Sequence, residues 1–152
     1  MKKNVFWSFV LVIIFIIGLF VINGLAKTYR PTNINTVTIA GKNIFVDVVT
    51  EHKQKQQGLS GRSSIAEDEG MLFVFDKSDS YSFWMEDMNF PIDIIWIGEN
   101  MKIVYIEKNV KPESYPKSFG SDTYAKYVLE LKSGFSDRNN LKAGDKVMFI
   151  YK

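Results

Sequence analysis

The 152 residues contain no cysteine and one histidine, His52. Without thiols there are no disulfides, thiolate zinc sites or cysteine nucleophiles. One imidazole excludes multi-histidine metal sites and leaves His52 as the sole base for a histidine-dependent triad. Also missing are a P-loop, a dinucleotide-binding fingerprint, a zinc-ligand pattern and a serine-centred nucleophile elbow. Internal repeats and low-complexity tracts are absent too. An excess of positive charge is lacking where it would matter. The chain carries 19 Lys/Arg and 17 Asp/Glu, but Lys2 and Lys3 are the only charged residues among the first 26. Residues 27–152 therefore hold 17 of each sign and are formally neutral. That balance gives no electrostatic case for nucleic acid, and no nucleic-acid partner is expected.

What the sequence does have is a long apolar run. Val5–Ile22 reads VFWSFVLVIIFIIGLFVI, without a charge. As a helix rising about 1.5 Å per residue it would span about 27 Å, close to the roughly 30 Å hydrocarbon core of a bilayer. Trp7 suits the interface, and Lys2 and Lys3 favour an inside N-terminus. Two readings follow. The run exceeds the about 7–15 apolar residues of a secretory signal, which points to an uncleaved signal anchor over residues 1–26. Gly24-Leu25-Ala26 would serve as a cleavage site if it is a signal peptide instead. Either reading puts the remainder outside the cytoplasm, as a single-pass cell-membrane protein or, if cleaved, a secreted one. Residues 27–35, with Pro31, read as a linker.

From residue 36 to 152 strand signals dominate. Val37 and Ile39 alternate with threonines, Ala40–Asn43 reads as a hairpin turn, and IFVDVV follows. Residues 51–57 are polar and stop at Gly58, the pattern of a short exposed helix. MLFVF, Tyr81–Met85, IDIIWI, KIVYIEK, YAKYVLEL and KVMFIYK complete about eight short strands, with Phe135–Leu141 as a helical turn. Long amphipathic helices between strands are missing, which disfavours a parallel α/β sheet. The expected class is mainly β, a single antiparallel barrel- or sandwich-like domain with one or two short helices, preceded by one N-terminal transmembrane helix.

Several stretches in this order resemble the DUF192 family of small exported or membrane-anchored domains. They are Gly58-Leu59-Ser60-Gly61-Arg62, Gly70–Phe75, Phe83-Trp84-Met85 with Met88, Pro91-Ile92-Asp93-Ile94, Tyr127–Leu131, Gly134 and Gly144–Val147. The resemblance runs from about Thr36 to Phe149 and implies a β-rich fold but no activity. Two positions depart from the family pattern. Lys55 stands where an arginine is common, and Glu86-Asp87 where a Lys–Asn pair is common.

Two carboxylates carry the chemical interest. Asp93 lies in Pro-Ile-Asp-Ile-Ile-Trp and Glu130 in Val-Leu-Glu-Leu, both in strands apolar on either side. Burial of a charge demands a partner, and Arg62, one of three arginines, is the natural one. Three uses are open: an ion pair tethering the Gly58–Arg62 loop, a ligand site of Arg62, Trp84, Asp93 and Glu130, or a general acid/base pair with separated pKa values. The last would suit an envelope hydrolase acting on glycan or peptide. Met85 and Met88, with Met71 nearby, could offer thioethers to Cu(I), although methionine beside aromatic rings ordinarily fills core gaps. Tyr81, Phe83, Trp84, Phe90 and Trp96 concentrate aromatic surface that could line a groove. No cofactor is expected and no catalytic residue is assigned. The expected function is a membrane-tethered extracytoplasmic domain that binds an unknown ligand or protein.

Overall fold

The computed structural model describes residues 33–120 and 122–151. The apolar run Val5–Ile22 lies outside these. Among the described residues no helix is long and apolar enough to cross a membrane.

Seven strands form one mixed sheet: β1 (Ile34–Ile39), β2 (Lys42–Val49), β3 (Glu69–Asp79), β4 (Ile92–Ile97), β5 (Ile103–Val110), β6 (Ala125–Lys132) and β7 (Val147–Tyr151). Their order is β5-β4-β6-β3-β2-β1-β7. Two short helices accompany them, α1 (His52–Gln57) and α2 (Phe135–Arg138). β1 begins inside the stretch read as linker.

The expected mainly antiparallel pairing holds except at one place, where β2 and β3 run parallel, with Val48 opposite Leu72 and Val49 opposite Phe73. A parallel pair cannot be joined by a tight turn. Residues 50–68 make the crossover, carrying α1 and the glycine-containing loop with them. All other pairings are antiparallel. The barrel or sandwich also gives way to a single sheet that does not close. Its edge strands approach through one bridge, Lys102 with Lys146, fastened by Ile103 N–H donating to the Asp145 carbonyl at 2.9 Å. Tyr81–Met85 is not a strand; its one bridge joins Phe83 to Phe119.

Two-residue alternation sorts the apolar side chains into two clusters, one on each face. Leu72, Val74, Ile95, Leu129 and Leu131 share the first face with Val37, Ile44 and the α2 residue Phe135. Met71, Phe73, Ile94, Trp96 and Val128 share the second with Leu59, Ile65, Met85 and Phe119. Those last four come from connecting segments, so loops rather than a second sheet cover this face. All six residues of β4 are buried for that reason. Towards β2, β1 and β7 the cover ends, and Phe45, Met148 and Ile150 are exposed.

Candidate functional site

Strand register decides where the carboxylates point. Glu130 on β6 stands directly between Met71 of β3 and Ile94 of β4, and all three face the second cluster. Leu131 stands opposite Asp93 and faces the first. Side chains one position apart on a strand lie on opposite faces, so Asp93 and Glu130 project from opposite sides of the sheet. The two carboxyls flank no common site, and their paired use as acid and base has no geometric basis here.

Each has a different environment. Asp93 is fully buried and satisfied by backbone donors. Its Oδ1 accepts N–H groups of Asn109 at 2.9 Å and Gly134 at 3.2 Å, and its Oδ2 accepts the N–H of Ser136 at 2.7 Å. It thereby ties the end of β5 and the start of α2 to β4. Glu130 is 5% exposed, and its Oε2 has no hydrogen-bond partner. Burial pushes its carboxyl up to about 8, opposed by the positive charge of Arg62. An ionised carboxylate would be costly in so apolar a place, so the group holds its proton at neutral pH.

Above Glu130 lies a pocket of about 570 Å³. One wall is α1 with its C-terminal Gly58. The other comes from β3, through Phe73 and Phe75, and from the 81–88 segment, through Tyr81, Phe83 and Trp84. Gly58 adopts φ 51° and ψ −134°, a conformation that side-chain-bearing residues avoid, and so turns the chain off α1 and across the sheet. Its position brings Glu130 Oε2 within 3.9 Å of where a Cβ would stand. The loop after it is pinned to the opposite wall. Ser60 Oγ donates to the Glu86 carbonyl at 2.7 Å, and Gly61 N–H to that of Asp87 at 2.9 Å. Trp96 Nε1 donates to the Tyr81 carbonyl at 2.9 Å and holds that segment against β4. Phe83 packs edge-on to both Phe73 and Trp96, and Phe75 stacks on Tyr81 with centroids 3.5 Å apart. Lys55 Nζ sits 4.6 Å above the Phe75 ring.

The sequence profile of DUF192, described as Uncharacterized ACR, matches residues 34–149. The chain belongs to DUF192. Two crystal structures share the DUF192 fold seen here. One, of a protein of unknown function from Novosphingobium aromaticivorans, is 28% identical with a TM-score of 0.71, covering 76% of this chain and 84% of that one. The other, from Sinorhizobium meliloti and assigned provisionally to transcription regulation, is 29% identical with a TM-score of 0.70, covering 75% and 90%. No curated protein matches this chain.

Within this DUF192 domain the residues singled out from sequence separate. Glu130, Trp84 and Met88 line the pocket, with Trp84 at 55% exposure on its rim. Asp93 is on the other face, and Met85 is buried in the core. Met85 and Met88 thus do not share the pocket, and no group of three or more His, Cys, Asp or Glu poised for a metal occurs among the described residues. Arg62 pairs with neither expected carboxylate. Its guanidinium donates to Asp47 Oδ2 at 2.7 Å, in a pair 42% and 63% exposed. The reason is again register: Asp47, Met71 and Glu130 form one row across β2, β3 and β6, and Arg62 reaches the solvent end of that row. Of the aromatic concentration, Tyr81, Phe83 and Trp84 reach the pocket, whereas Trp96 is wholly buried. His52, expected as an exposed side chain, is exposed at the pocket's edge. Sequence assigns no site role to Phe73, Phe75 or Lys55. The alternation of Met71, Phe73 and Phe75 marks a shared face, but only the β3–β6 register shows that Glu130 lies on it.

Proposed function

We propose that this chain is a membrane-tethered extracytoplasmic binding domain whose ligand enters the pocket over β6 and meets Glu130 at its floor. One observation carries the reading: a nearly fully buried carboxyl with an unpartnered oxygen lies at the base of an aromatic pocket. Buried polar atoms are ordinarily paired, and an orphan at the floor of a concave site is where a ligand's polar group would complete the pairing. Tethering rests on the apolar run Val5–Ile22 behind Lys2 and Lys3. Trp84 supplies a reporter. Binding at this site predicts a saturable change in tryptophan emission with small aromatic or amine probes, abolished by Phe73→Ala together with Glu130→Gln. Saturable binding untouched by those substitutions would move the site elsewhere.

A second reading is favoured by the titration of Glu130 near neutral pH, which suits a general acid or base. With Asp93 on the other face it would be a one-carboxyl chemistry. Hydrolysis of an envelope glycan or peptide that disappears in Glu130→Gln would support it.

A further inference from the structure

Deepening the binding reading on which it rests, we infer that the pocket over β6 selects a small organic ammonium ion, held by the Glu130 carboxylate and the surrounding aromatic faces. Three features favour a cation. The floor group is a carboxyl whose orphaned oxygen can accept an N–H donor. The walls are built of Phe73, Phe75, Tyr81, Phe83 and Trp84, Phe75 being covered by Tyr81 and Lys55 on its two faces, and aromatic faces attract cations through their quadrupole. One of those rings already carries an ammonium, since Lys55 Nζ stands 4.6 Å over Phe75. The charged groups around the pocket lean the same way. Glu51, His52 and Lys55 face it from α1 and its N-terminal flank, Asp76 from β3 and Tyr81 from the 81–88 segment, with Glu130 on β6. Arg62, in the loop after α1, acts on Glu130 from outside while bound to Asp47. With Glu130 protonated, the carboxylates of Glu51 and Asp76 still outnumber the one lysine on the pocket, so its charge does not call for an anionic ligand.

Binding has a proton balance. Glu130 is protonated in the empty pocket at neutral pH. An ammonium arriving with its own proton forms an N–H···O bond to the carboxylate, and the Glu130 proton leaves to solvent. Nothing else is made or broken.

The test uses the full chain in detergent and calorimetry with benzylamine, its neutral isostere benzyl alcohol, and benzoate. Nα-acetyl-lysine amide is a fourth arm, distinguishing a free amine from a lysyl side chain as the ammonium source. The expected result is that an amine binds in preference to benzyl alcohol and releases close to one proton at pH 7, read from buffers of different ionisation enthalpy. Its affinity should rise about tenfold per pH unit from about pH 6 towards 8. Glu130→Gln should weaken it about thirtyfold or more, and the wild-type proton release stands as an independent readout if that variant folds poorly. Benzyl alcohol binding as well as benzylamine, with no proton released, overturns the ammonium assignment and leaves the pocket reading in place. Failure of every probe to bind overturns both.

Discussion

Glu130 and Asp93 lie on adjacent strands one position out of register, Glu130 opposite Ile94 and Asp93 opposite Leu131, and so serve opposite faces of one sheet. Asp93 is the structural carboxylate, accepting three backbone N–H groups. Glu130 is the open one.

Asp93→Ala is expected to leave three backbone donors without their acceptor, the buried Ser136 N–H among them, and to cost about 3 kcal/mol of stability. Asp93→Asn keeps one acceptor oxygen and should cost less. Urea denaturation of the two variants checks the order. Equal and negligible losses would remove Asp93 from its role in joining β4, β5 and α2.

Glu130 predicts a pH dependence of definite sign. Its carboxyl is raised from 4.5 to about 8 by burial. Below about pH 4.5 folded and unfolded chains both hold the proton. Between 4.5 and about 8 only the folded chain does, so stability from this group falls as pH rises, by about 1.4 kcal/mol per unit. Glu130→Gln should abolish that slope and exceed the wild type in stability near pH 8. Thermal melts across this range, with no difference in slope between the two proteins, would contradict it.

Arg62→Ala is expected to be mild. The Arg62–Asp47 pair is exposed, and such pairs contribute about 0–1 kcal/mol. Its electrical effect is separate: with the guanidinium gone, the Glu130 titration should move higher, because Arg62 opposes the upward shift. A loss of several kcal/mol would mean that Arg62 neutralises a buried charge after all.

Gly58→Ala tests the turn that sets the pocket wall. There is space for the methyl, which would lie 3.5 Å from Phe73 Cζ. The backbone conformation is what alanine resists, at a cost of about 1–3 kcal/mol. Calorimetric melting shows it, and an unchanged melting temperature would mean the turn accommodates a side chain.

Burial of the two carboxylates was legible in sequence, because each sits among apolar residues on both sides of its strand. Their partners were not. Asp93 is satisfied by backbone N–H groups up to 43 residues away, and no residue type announces a backbone donor. The Arg62 pairing failed for a related reason: Asp47, in the strand that β3 joins in parallel, becomes reachable only once that crossover is known. The alternation of Thr36 and Thr38 with Val37 and Ile39 in β1 and the glycine stop of α1 are local signals, and both elements form as expected. Tyr81–Met85 has strand-like composition, yet it runs into Asp87 at φ 54° and is held by Trp96 and Ser60 rather than by a ladder. Those contacts build the pocket wall from a segment that composition alone reads as a strand.

The most direct test is a carbon-13 NMR titration of the Glu130 side-chain carboxyl, with and without benzylamine. A midpoint near pH 8 in the free domain, falling by at least about two units when the amine is present, is the predicted result. A midpoint near 4.5 in the free domain, unmoved by the amine, would contradict a buried, unpartnered carboxyl awaiting a cationic ligand.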